Sequence, residues 1–79
     1  MKKPVIVEIE WRDGSLFSGQ HSIEAARGRH LLSLRSVGYL VRRDVDEIVL
    51  AEEWHEDWEE YRHVHVFPAS EVKKVRRVR

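Results

Sequence analysis

The side chains with most chemical potential lie between positions 52 and 67. His63 and His65 sit two apart in Arg62-His63-Val64-His65-Val66-Phe67, an alternating run that reads as a strand. Residues two apart on a strand share a face, so both imidazoles could hold one metal ion. Zinc takes three or four protein ligands. A third would have to come from His55, or from a carboxylate such as Glu53, if a hairpin pairs them closely. The competing reading is a solvated strand face on which histidine alternates with core valines, and no metal or other cofactor is expected.

Carboxylates are abundant at Glu52, Glu53, Glu56, Asp57, Glu59 and Glu60. Acid–base catalysis needs one carboxyl in an apolar pocket with a shifted pKa. Acids crowded together with no Lys or Arg between them read instead as a solvated loop face. Six serines carry no nucleophile-elbow motif, and no glycine-rich phosphate loop occurs. No catalytic residue is therefore expected, and the chain reads as a non-enzyme.

Trp54 and Trp58 stand inside the acidic stretch. Tryptophan in a charged loop is costly unless it packs or binds something, and it is enriched at interface hot spots. Trp54, Trp58, Glu53 and Glu56 are accordingly the candidate protein-contact residues, against the alternative that both indoles fold back over the end of a barrel. A second candidate is the basic run that includes Lys73, Lys74, Arg76, Arg77 and Arg79. Such runs bind phosphates or acidic partners. With Arg27, Arg29, Arg35, Arg42 and Arg43 it could face nucleic acid, although no aromatic stacking residues are interleaved with it.

The composition bounds what must position these groups. Seventy-nine residues make one small domain, spanning 1–79. The absence of cysteine removes disulfides, zinc–thiolate sites and thiol nucleophiles together, and suits a reducing cytoplasm. No apolar run approaches a membrane span, and the start alternates rather than forming a signal-peptide core. Absent Asn and Thr, one Gln, and ten Arg against four Lys fit either heat adaptation or a GC-rich genome. A domain this small often needs a staple, and oligomerisation is the one left open.

Fourteen basic and fourteen acidic residues cancel, but in blocks. Residues 1–43 carry eight basic and four acidic groups, residues 44–60 carry nine acidic and no basic ones, and residues 61–79 carry six basic and one acidic. Zero net charge argues against indiscriminate nucleic-acid binding; the separated blocks favour specific electrostatic association.

Val5, Val7, Ile9 and Trp11 alternate as a half-buried strand, and Asp13-Gly14 is a favoured turn pair from which Leu16-Phe17 begins a returning limb. Ser22 to Arg27 reads as a short helix, with Ser22 as N-cap and Gly28 ending it in the left-handed conformation. From Leu31 a long strand places Leu32 and Leu34 on one face, then shifts phase near Gly38 so that Val37, Tyr39 and Val41 take over. Ile48 to Ala51 returns as its hairpin partner. Trp54, Trp58 and Tyr61 recur at helical spacing, but the clean alternation of Arg62 to Phe67 favours a long hairpin. Pro68 to Val72 reads as a single 3₁₀ or helical turn, and Val75 to Val78 fits a closing strand better than a helix. The expected fold is mainly β: a five-stranded, strongly bent barrel with a short helix after the first strand and a one-turn helix before the last.

Trp11-Arg12-Asp13, Ser36-Val37-Gly38-Tyr39-Leu40-Val41, Asp44, Asp46, Ile48-Val49-Leu50-Ala51 and Val66-Phe67-Pro68-Ala69-Ser70-Glu71-Val72 resemble a family of small proteins of bacteriophages and bacteria whose function is not established. The resemblance implies a phage or prophage source. More distantly, Gly38-Tyr39-Leu40 with Asp44 and Ile48-Val49-Leu50 is similar to the first signature of Sm-like RNA-binding barrels. That similarity implies the barrel, not the RNA site. The Asn and Arg-Gly that read uracil there have no counterpart here, where Phe67-Pro68-Ala69-Ser70 stands in place of Arg-Gly. The resulting expectation is a phage-type accessory protein of the cytoplasm that contacts a protein partner or its own copies. Nucleic acid is the alternative partner, and no membrane is expected.

Overall fold

The structure, a computed structural model, describes residues 3–13 and 18–79. It is mainly β: five antiparallel strands in one sheet, one short helix and a 3₁₀ turn. In chain order these are β1 (Ile6–Asp13), α1 (Ile23–Arg27), β2 (Leu32–Arg43), β3 (Glu47–His55), β4 (Glu60–Pro68), the turn Ala69–Glu71 and β5 (Val72–Arg77). The expected turn and limb at Gly14, Leu16 and Phe17 lie outside the described residues.

The spatial order is β4-β3-β2-β1-β5. Alternation along β1 puts Val7 and Ile9 inward, where with Ile48, Leu50 and Phe67 they form the core; Val5, Trp11, Leu40, Val72 and Val75 pack around it. That cluster requires the sheet to curl. Three strand spacings of a flat sheet would separate β1 from β4 by about 14 Å. The rings of Trp11 on β1 and Phe67 on β4 nevertheless meet at 5.0 Å, edge to face. Curling is achieved without a ladder between β4 and β5, which remain the two edges among the described residues.

Two expectations about β2 and α1 are corrected. The phase of β2 does not change at Gly38. Ile9 pairs with Ser36 and Val7 with Gly38, so Ser36 and Gly38 stay on the core side with Leu34 and Leu40. The extra residue is Val41, where the register with β3 shifts between Leu40 and Arg42. Gly38 serves close approach instead: a Cβ there would lie 2.8 Å from the backbone carbonyl oxygen of Ala51. In α1, Ser22 Oγ accepts the Ala25 N–H at 3.1 Å as expected of an N-cap. Gly28 ends the helix at φ −84°, ψ 0°, outside the left-handed region, because its N–H still reaches the Glu24 carbonyl at 3.1 Å.

The hairpin reading of residues 52–67 holds. Trp54 pairs with Tyr61 and His55 with Glu60, leaving residues 56–59 as the tip. β5 is a strand, bulged at Lys73 because Glu10 pairs with Lys74 while Trp11 pairs with Val72. Outside the curled part the molecule is extended. Its Cα radius of gyration is 16.3 Å, against about 12 Å for a compact chain of this length. Leu31, Leu32, Leu34 and Ile23 are all exposed toward the helix end of the β1–β2 arm. Among the described residues, no helix is long and apolar enough to cross a membrane.

Candidate functional site: the β3–β4 tip and the groove beneath it

Curling brings the tip of the β3–β4 hairpin back to the ends of the described chain. The Lys3 ammonium donates to Glu56 Oε1 at 2.8 Å. Donation from Lys3, and then its charge, holds the Glu56 carboxyl below its usual range; the same contact raises the Lys3 ammonium. Both side chains are exposed, so this pair is a tether that salt weakens rather than a core element.

Between tip and chain ends lies a groove of about 760 Å³. Tyr39 and Trp54 supply its aromatic part, and its charged lining comes from Glu56, Asp57, Arg77, Arg79 and the Lys3 that pairs with Glu56. The backbone that carries the two arginines is held by its neighbours. Arg77 pairs with Val7 in the ladder, and the Arg79 carbonyl accepts the Ile6 N–H at 2.7 Å. Asp57, Arg77 and Arg79 have no ion pair among the described residues.

The two tryptophans take different roles. Trp54 is half-buried, its ring 4.9 Å from that of Tyr61, and its Nε1–H is buried without a hydrogen-bond partner. Trp58 is 71% exposed. It is not loose, however. Its ring stacks on His55 at 4.2 Å and 6°, and its backbone N–H donates to His55 Nδ1 at 3.2 Å. The tip thus presents a flat, held indole within an acidic loop, and Glu59 at φ +51° helps to turn the chain there.

Glu53 lies up the hairpin from the tip. Its Oε1 is 3.5 Å from His63 Nε2, and its Oε2 is 3.9 Å from Arg62 Nη1. His63 and His65 line a second groove of about 240 Å³ with Glu52 and Phe67. His65 is stacked on Phe67 at 4.1 Å, while His63 sits at φ +57° beside Glu53. Among the described residues, no three His, Asp or Glu side chains gather as a metal-ion ligand set.

The basic run is divided among three surroundings. Arg76 and Arg35 both reach Glu8 Oε1, at 3.5 and 3.3 Å, and Lys74 lies across from Glu10. Lys73 lines a cleft with Arg43 and Asp44. Only Arg77 and Arg79 enter the large groove. Sequence reasoning placed Trp54 and Glu56 in one candidate site and Arg77 and Arg79 in another; the curled sheet puts all four around one groove. Tyr39 was not a candidate, and no local sequence signal marks it, because its place in the groove depends on how β2 pairs with β3 and on the curl of the sheet.

Neither a family model, nor a curated protein, nor a solved structure matches this chain significantly.

Proposed function

We propose that this chain is a small, non-enzymatic accessory protein of phage type, with a curled Sm-like barrel fold, that acts in the cytoplasm by protein–protein contact and associates with its own copies. The contact surface is the β3–β4 tip. The observation that carries this reading is Trp58, an indole 71% exposed yet held by a ring stack and a backbone hydrogen bond to His55. A held aromatic loses little conformational freedom on binding and buries a large apolar area, the properties of an interface anchor. The extended shape and the exposed Leu31, Leu32 and Leu34 further favour a chain that covers surface by association.

Division of Lys73, Lys74, Arg76, Arg77 and Arg79 among three surroundings, with Arg76 already beside Glu8, favours protein over nucleic acid as the partner. Sedimentation velocity across concentration tests the reading. Wild type associates and Trp58→Ala loses that association. Association that Trp58→Ala leaves intact, or its absence at every concentration and salt, overturns it.

A further inference from the structure

The acidic tip and the basic chain end line one groove of one molecule, and that placement favours one symmetry. Were the two charges at opposite ends, complementary copies would join head to tail, and such contacts propagate unless they close into a ring. Here Asp57 of the tip and Arg77 and Arg79 of the chain end line the same groove, together with the Tyr39 and Trp54 rings and the Lys3–Glu56 pair. A patch that carries both signs side by side complements a copy of itself turned by half a rotation. Asp57 of each copy then meets Arg77 and Arg79 of the other, twice, and no free complementary surface is left over.

We propose that the groove is a two-fold, self-complementary interface, occupied by the Asp57–Trp58 tip of a second copy of this chain while its own tip occupies the partner's groove. The proposal rests on the reading of the tip as a self-contact surface and adds the groove it enters and the symmetry of the contact. The local chemistry supports this occupant. Arg77 and Arg79 have no ion pair among the described residues, and the backbone that carries them is held by pairing with Val7 and Ile6. Asp57 likewise has no ion pair there, and Trp58 beside it is the exposed ring. Guanidinium groups take carboxylates in two-point contacts and stack on aromatic rings, so a tip bearing Asp57 and Trp58 offers them both kinds of partner.

Charge reversal tests the tip-to-groove contact, and the size of the particle tests its two-fold closure. Asp57→Arg alone and the double variant Arg77→Glu with Arg79→Glu each place like charges across the interface twice, and each weakens self-association at least about tenfold at low salt. Mixed in equal amounts, the two variants restore attraction at one of the two contacts through the double variant's acidic tip against the basic end of Asp57→Arg, and at the other through the reversed pair. Sedimentation equilibrium and light scattering should give a two-chain particle for wild type, mainly one-chain species for each variant alone, and a two-chain particle again for the mixture. Particles larger than two that Trp58→Ala dissolves overturn the two-fold arrangement and leave the tip reading standing. A two-chain particle lost in Trp58→Ala but not recovered in the mixture overturns the tip-to-groove pairing alone. Wild type with one chain at every concentration and salt overturns both.

Discussion

Trp11 and Phe67 are edge-to-face neighbours with ring centroids 5.0 Å apart, although two strands separate theirs in the sheet. Their contact is the clearest measure of how tightly the sheet curls. Phe67 is 2% exposed, and His65 stacks on its ring at 4.1 Å. Truncating it opens a cavity where β1, β3 and β4 meet. Phe67→Ala is expected to cost about 3–5 kcal/mol in urea unfolding. A loss below about 1 kcal/mol would show that the curl is held elsewhere.

Gly38 provides a second test of curvature. A methyl group there meets the Ala51 carbonyl oxygen at 2.8 Å and the Leu50 Cβ at 3.2 Å. Because the nearer obstacle is backbone, trimming the neighbouring side chain gives no relief. Gly38→Ala is expected to destabilise by about 1–3 kcal/mol in thermal unfolding. A variant as stable as wild type would show that the backbone at Ala51 gives way to the added methyl group.

The strands were legible because each is encoded locally. Val5 to Trp11 and Arg62 to Phe67 alternate, and Ser22 caps its helix within three residues. Gly38 misled for a physical reason: a glycine in a strand signals either a bulge or close approach, and only the packing against Ala51 decides between them. The groove was legible in its parts and not as a whole. Trp54, Glu56, Arg77 and Arg79 drew attention through their types, but their meeting depends on sheet curvature summed over four strands, which no local pattern carries.

Asp44 makes the β2–β3 turn sensitive to acid. Its Oδ1 accepts the backbone N–H groups of Glu47 at 2.8 Å and Asp46 at 2.9 Å, and Arg42 pairs with its other oxygen. The Glu47 N–H, then the Asp46 N–H, with the Arg42 charge behind them, hold the carboxyl below its usual range. The folded state therefore binds this proton less readily than the unfolded chain. The stabilisation is present above the unfolded value, about 3.9, and is lost as pH falls through the lower folded value. Asp44→Asn keeps an acceptor but abolishes the titration. Comparing urea unfolding at pH 5 with that below pH 4, the variant should lose less stability than wild type. Equal losses would remove Asp44 from the acid response.

Trp54 carries a cost that substitution can relieve. Its indole N–H is buried without a partner, a defect worth about 1–3 kcal/mol. Trp54→Phe removes the donor and keeps a ring against Tyr61, at the expense of some apolar area. Thermal unfolding should show stability unchanged or raised. A loss above about 2 kcal/mol would mean that indole area outweighs the unpaired donor.

His55 holds Trp58 in two ways that can be separated. Stacking at 4.2 Å needs only a flat ring, whereas the hydrogen bond needs a bare nitrogen at Nδ1 to accept the Trp58 N–H. That bond fixes which nitrogen carries the hydrogen in the neutral imidazole: Nε2. His55→Phe keeps the stack and deletes the acceptor; His55→Ala deletes both. Amide hydrogen exchange at Trp58 should speed up in both variants, because both leave that N–H without its partner. Indole order, read by fluorescence anisotropy, should fall further in His55→Ala than in His55→Phe. If self-association follows the anisotropy, the stack is what presents the indole; if it follows exchange at the amide, the fixed backbone of the tip is what the second copy recognises. Association indifferent to both variants would separate His55 from the interface and leave Trp58 acting through its exposed area alone.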